Sequence, residues 1–119
     1  MSRRVVKPWG YEEIWAETRA YVGKILVVKK GRRLSLQYHR VKMETLYIER
    51  GRVRCLSGPD PAHLRESLLQ AGDTLHVPPG LHHRFEAVEE ARIFEVSTPE
   101  LTDVVRVADD FGREGSSTG

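Results

Sequence analysis

Residues 31–51 read GRRLSLQYHRVKMETLYIERG, and residues 72–83 read GDTLHVPPGLHH. Both stretches set short apolar and β-branched runs between glycine or proline turns, which is the pattern of an antiparallel sandwich or barrel. Within the first, 34–38 alternates apolar with polar and 45–48 is β-branched or apolar, as strands require. Working outward, 24–30 reads KILVVKK ahead of the Gly31 turn, and 53–56 lies between turns at Gly51 and Gly58-Pro59. Beyond Pro78-Pro79-Gly80 come 81–87 and 92–97, again of strand length. The segment 62–70 has Leu64 and Leu68 four apart, as on a helix face, but the run is short and stops at Gly72-Asp73, so a strand is favoured. Helix is scarce. A chain of 119 residues accommodates one hydrophobic core and not two. The reading is one all-β domain over 1–113, then a polar tail over 114–119 that its Gly and Ser content predicts to be disordered.

With 39% hydrophobic and 30% charged residues, the composition is that of an ordinary globular protein, and no apolar run approaches the length of a bilayer span. Ser2-Arg3-Arg4 is not followed by the apolar region of a secretory signal, so the expectation is a cytoplasmic protein with no membrane partner. A formal charge of +2 is too small to point to nucleic acid. The basic run Lys29-Lys30-Gly31-Arg32-Arg33 reads as a solvated turn. Cys55, the single cysteine, cannot form an internal disulfide, and its place in an apolar run predicts a buried structural thiol.

Gln37 and His39 are two apart on an expected strand, so both side chains leave one face of the sheet. Glu44 follows after a gap long enough for the chain to turn, which lets a neighbouring strand return its carboxylate to the same point. His83, beyond the Pro-Gly turn, can add a fourth group. Imidazole nitrogen with carboxylate and amide oxygen suits one divalent ion, zinc first, with manganese, nickel, cobalt or iron also fitting. The adjacent His82 is expected to point to the opposite face.

The joint spacing is more specific than any one residue. From Gly31 there are five residues to Gln37, one to His39, four to Glu44 and six to Gly51; from Gly72 there are five to Pro78, one to Gly80 and two to His83. These runs resemble the two signature motifs of the cupin superfamily, G(X)5HXH(X)4E(X)6G and G(X)5PXG(X)2H(X)3N, with Gln37 in place of the first histidine and Ala87 in place of the closing asparagine. The resemblance implies an all-β, single-domain cupin double-stranded β-helix, a jelly-roll-like barrel, with the metal on Gln37, His39, Glu44 and His83. Ser35-Leu36-Gln37-Tyr38-His39 is similar to the SLQ-x-H segment of phosphomannose isomerases. Lys7-Pro8-Trp9-Gly10 resembles the PWG element of the type II isomerases, and Asp103-Val104-Val105-Arg106 with Asp109-Asp110-Phe111-Gly112-Arg113 resembles their closing D-I-V-R and D-D-Y-G-R segments.

That family resemblance implies an aldose–ketose isomerisation of a sugar phosphate, mannose 6-phosphate to fructose 6-phosphate being the family reaction. Proton removal at C2 builds charge on a neighbouring oxygen, which a divalent ion can stabilise, and a general base must stand close by. Glu95 is the candidate base. Ser35, Lys42, Arg106 and Arg113 are the candidate phosphate contacts. The chain departs from the family pattern in Lys42 for arginine, Leu46 for tryptophan and Ser97 for glutamine, which changes the chemistry and shape of the pocket. Two other readings are a cupin that binds a small polar ligand through its metal without turnover, and a metal-dependent dioxygenase, which requires iron and oxygen. A homodimer is also expected, with Leu34, Leu36 and Tyr38 facing outward as a patch against a partner.

Overall fold

Residue alternation in β2 (Gly10–Glu17), β3 (Val22–Val28), β5 (Glu44–Gly58) and β8 (His82–Ser97) decides which way the sheet faces. Leu46, Ile48, Val53 and Cys55 of β5 are buried, as are Leu26 and Val28 of β3 and Phe85, Ala87, Ala91 and Ile93 of β8. Together with Trp9, Leu34 and Val77 they form one core cluster. Burying each large apolar side chain contributes about 1.5–3 kcal/mol, which is the main force closing the sheet on itself. The structure is a computed structural model describing residues 2–117.

The remaining strands are β1 (Arg3–Lys7), β4 (Leu36–Tyr38), β6 (Arg65–Gln70), β7 (Thr74–Val77), β9 (Val104–Ala108) and β10 (Gly115–Ser117). The described residues form a 10-stranded antiparallel sheet in the order β1-β2-β3-β8-β4-β9-β10, with β5 pairing β6, β7 and β8. No helix is present among them, as the turn-and-run pattern predicts, and 65–70 of the ambiguous segment is the strand β6.

Two pairs of expected strands are each one continuous strand. The runs 45–48 and 53–56 both belong to β5, and 81–87 and 92–97 to β8. Gly51, with φ of +93°, is not a hairpin turn: it lies where the β5–β8 register shifts between Ile48 and Val53. A bulge there bends the paired strands without ending them.

Leu34 and Leu36 do not face outward. Both are buried, Leu34 within the core cluster, so the expected partner patch does not exist as such. Leu34 packs in the core beside β8, its N–H donating to the Phe85 carbonyl, and Leu36 is buried where β4 pairs with Ala108 of β9. In the basic turn, Lys29 and Lys30 are exposed, whereas Arg32 donates to the Pro8 carbonyl and Arg33 holds Asp110 through two bonds of 2.6 and 2.9 Å. Within the expected polar tail, Gly115–Ser117 pairs with β9 as the short strand β10. Residues 118 and 119 lie outside the described residues.

Candidate functional site

The carboxylate of Glu44 meets two imidazoles inside the barrel. Its Oε1 is 3.3 Å from His39 Nε2 and 3.4 Å from His83 Nε2, with all three side chains buried. One potential ligand atom from each lies within 4.8 Å of the others, so this His-Glu-His group could hold a metal ion. On His39, Nδ1 is 2.6 Å from the Asp103 carbonyl, and on His83, Nδ1 is 2.9 Å from the Leu81 carbonyl. A carbonyl only accepts, so each Nδ1 carries the proton and each Nε2 presents its lone pair or a second proton to Glu44. Contact between Nε2 and a carboxylate is attractive only with a cation, proton or metal, between them, and this donor chemistry fits a divalent ion.

Gln37 reaches the same pocket through strand pairing. It lies opposite His83 across β4–β8 and lines the same pocket, and its Oε1 accepts a 2.7 Å bond from the buried Ser35 hydroxyl. A carbonyl oxygen has a second lone pair, which Ser35 leaves available. His82 is turned away, its ring stacked on Tyr38 with centroids 4.6 Å apart.

Beside these residues Lys42 ties two carboxylates together. Its Nζ is 3.2 Å from Glu44 Oε2 and 3.3 Å from Glu95 Oε2. Burial alone would lower the Lys42 pKa, but the Glu95 and Glu44 charges outweigh it, raise the pKa and keep the ammonium protonated. Burial raises a carboxyl, yet the hydrogen bonds of His39 and His83 with the Lys42 charge hold Glu44 well below its ordinary value. At Glu95 burial wins: together with the Glu44 charge, and against Lys42 and Lys24, it pushes the carboxyl up to about 7. Glu95 Oε2 accepts no well-formed hydrogen bond.

The pocket continues past Glu95 to residues the sequence reading did not single out. Lys24, opposite Glu95 across β3–β8, makes a buried ion pair with Glu12, Nζ to Oε1 at 3.4 Å. Lys7, Arg106 and Arg113 line the same cavity, with Trp9, Phe85, Leu101 and Val104 as apolar wall. The signal was present: Glu12 and Lys24 are charged residues at inward positions of strands that are otherwise apolar on that face. Asp103 was also more than a resemblance, for its carboxylate accepts from the backbone N–H groups of Arg40, Val41 and Lys42 at 3.1, 2.7 and 2.9 Å. It thereby fixes the loop between His39 and Glu44.

Of the four expected phosphate contacts, Lys42, Arg106 and Arg113 line the pocket, Lys42 paired there with Glu44 and Glu95 and Arg113 with Asp109, while Ser35 donates to Gln37. Cys55 is buried, and burial pushes its thiol up to about 11. No helix among the described residues is long and apolar enough to cross a membrane.

Residues 1–109 match the family described as mannose-6-phosphate isomerase C-terminal. The chain is 32% identical over 119 residues to the mannose-1-phosphate guanylyltransferase of Escherichia coli (strain K12), covering 95% of this chain and 24% of that protein. It is 31% identical, with the same coverage, to the mannose-1-phosphate guanylyltransferase ManC of Salmonella typhimurium. The chain therefore spans about a quarter of the length of the curated relatives it matches. Among solved structures, KdgF from Halomonas sp. superposes with a TM-score of 0.71 at 17% identity, covering 83% of this chain and 86% of that one. Oxalate decarboxylase from Bacillus subtilis gives 0.78 at 17% identity, covering 89% and 30%. CapF from Staphylococcus aureus gives 0.74 at 14%, covering 91% and 34%. At these identities the structural likenesses establish a common fold.

Proposed function

Because the chain belongs to the mannose-6-phosphate isomerase C-terminal family and has the cupin fold, we propose that it is a metal-dependent sugar-phosphate isomerase of the aldose–ketose type. The metal would be one divalent ion, zinc first, on Gln37, His39, Glu44 and His83. The observation that supports this reading best is the Lys42 bridge. Its ammonium spans Glu44 and Glu95 at 3.2 and 3.3 Å, so a metal-ligating carboxylate and a candidate base share one buried cation.

In this reading Glu95 takes the proton from substrate C2 and returns it at C1, transferring it across one face of the substrate. A carboxyl pushed up to about 7 is suited to both halves of that exchange, because its two protonation states are close in energy near neutral pH. Lys42 holds Glu95 in place and balances its charge after each proton is passed on. A bound divalent ion supplies Lewis-acid stabilisation of the negative charge that develops on substrate oxygen. Trp9, Phe85, Leu101 and Val104 form the apolar wall beside the reacting carbon.

Solvent deuterium appearing at C2 of mannose 6-phosphate tests the proposal, using metal-loaded protein beside His83→Ala. Incorporation that needs both the metal and His83 is the expected result. Absence of exchange in a protein that binds the metal would sink the isomerase reading, and saturable sugar-phosphate binding under the same conditions would put a non-catalytic binding role in its place.

A further inference from the structure

The outer face of the sheet carries apolar side chains where polar ones are expected. Antiparallel strands with one face in water alternate apolar-in with polar-out. Yet the outward positions of β3 are Gly23, Ile25 and Val27, and those of β8 opposite the first two are Val96 and Phe94. Tyr47 continues the row from Phe94 onto β5, the two rings stacked with centroids 6.1 Å apart. Trp15, Tyr47 and Val96 are 54%, 43% and 55% exposed. None of these residues lines the His-Glu-His pocket, so the site inside the barrel does not account for them.

Trp15 is the extra residue where the β2–β3 register shifts between Ile14 and Ala16, and its indole lies across Gly23. A Cβ at Gly23 would stand 2.6 Å from Trp15 Cζ2, so the glycine is what lets the ring rest on the sheet. On the other side of β8 a groove of about 240 Å³ is lined by Met43, Thr45, His76, Val96, Ser97 and Thr98. A cavity of about 150 Å³ takes a benzene ring, so this one has room for an indole. Strand pairing sets the two features at one level, for Gly23 lies opposite Val96, Val96 opposite Thr45, and Thr45 opposite His76. The aromatic ring and the groove therefore flank β8 to left and right.

We propose that this face binds a second copy of the chain, two sheets packing face to face about a two-fold axis that runs along β8. Such an axis lies in the plane between the sheets and exchanges the β3 side with the β5 side. Each copy then lays its Trp15 indole over the other's groove, and a contact made once is made twice, as an isologous interface requires. The same operation brings the acidic Glu13, on the β2 side, towards the basic Arg50, on the β5 side, so the charges at the rim are complementary as well. Five strands about 4.8 Å apart, each with three outward residues about 7 Å apart, give a projected area on the order of 500 Å². The relief of the side chains brings the accessible area towards the roughly 800 Å² per partner of a standard interface. The proposal is independent of what the pocket binds.

Sedimentation velocity of the full chain over a concentration series tests this, with circular dichroism to establish that each variant is folded. The wild-type protein is expected to sediment as a dimer in the micromolar range, where standard-sized interfaces still hold. Val96→Glu sets a carboxylate against its own copy across the two-fold axis and is expected to weaken the dimer at least about a hundredfold, as facing like charges do. Trp15→Ala removes the aromatic anchor and is expected to weaken it at least about tenfold; it serves if Val96→Glu fails to fold. Leu68→Glu, which alters an exposed leucine of β6 beyond the Gly51 bend, is expected to sediment as wild type. A wild-type protein that is monomeric at about 100 µM, a concentration above the micromolar limit of such interfaces, would overturn the proposal and leave the face to a different protein. A dimer of wild-type strength in both Val96→Glu and Trp15→Ala, or a loss in Leu68→Glu as large as theirs, would also overturn it.

Discussion

Glu44 and His83 stand at opposite ends of the β5–β8 ladder, Glu44 paired with Ser97 and His83 with Ser57, yet their Oε1 and Nε2 atoms are 3.4 Å apart. A straight ladder would hold those two positions about 40 Å apart. The strands curl through the register shifts between Ile48 and Val53, and the site exists because that curl closes.

Gly51 sits at the bend and should therefore control both stability and the site. A Cβ there would run into the Glu90 carbonyl oxygen and come within 2.8 Å of Ala91 Cα, both backbone atoms that cannot rotate away. Gly72 has a similar positive φ, +95°, but open space around it. Gly72→Ala is expected to cost about 1–2 kcal/mol from the left-handed backbone alone, and Gly51→Ala about 1–3 kcal/mol more. Urea unfolding of both variants checks the difference, and a Gly51→Ala protein as stable as Gly72→Ala would contradict the bend.

Lys42→Met leaves Glu44 and Glu95 buried without their shared cation. Removing one partner of a buried ion pair costs about 3–5 kcal/mol, because the remaining charge stays in a low-dielectric interior. Denaturation of metal-free protein at pH 8, where both carboxylates are ionised in the wild type, should show a loss of that order. The further change Glu95→Gln should restore much of it by removing one of the two facing charges.

The raised Glu95 carboxyl makes a signed prediction for pH. Its folded pKa of about 7 lies above the ordinary 4.5, so between those values the folded state binds the extra proton. Stability of the metal-free protein should then fall as pH rises from about 4.5 to 7 and level off above, an effect on the order of 1–3 kcal/mol. Glu44, held low, works the other way: its contribution is present above 4.5 and lost as the solution becomes more acidic. In Glu95→Gln the decline between 4.5 and 7 should disappear, which urea midpoints across that range would reveal.

Asp103→Ala removes the acceptor for three backbone N–H groups but leaves the carbonyl that receives His39 Nδ1–H. The loop that spaces His39 from Glu44 loses its anchor, and zinc or cobalt affinity should fall about 10–100-fold, as it does when groups that orient ligands are removed. Those N–H bonds hold the Asp103 carboxyl below 3.8 even though its burial opposes them. Its stabilising contribution is therefore present above pH 3.8 and lost as pH falls through its lower folded value. Unchanged cobalt affinity in a folded Asp103→Ala protein would mean the loop holds its shape without the clamp.

What could be read from the chain alone were features that depend on near neighbours. Strand-length runs and turns follow from residue type and backbone freedom. The placing of Gln37 and His39 on one face follows from the two-residue period of a strand. The spacing of the two glycine-bounded motifs identified the fold before any contact was visible. Only the tertiary structure could decide that 45–48 with 53–56, and 81–87 with 92–97, are continuous curled strands, because a glycine at a bulge and a glycine in a hairpin turn look alike in sequence. It alone buried Leu34 and Leu36, since what covers them comes from distant strands. It also showed Lys42 bound between two glutamates and Lys7 brought to the cavity of Arg106 and Arg113. A side chain's type declares what it can bind, whereas its neighbours are chosen by pairing between distant parts of the chain, and that choice rests on burying the whole core at once.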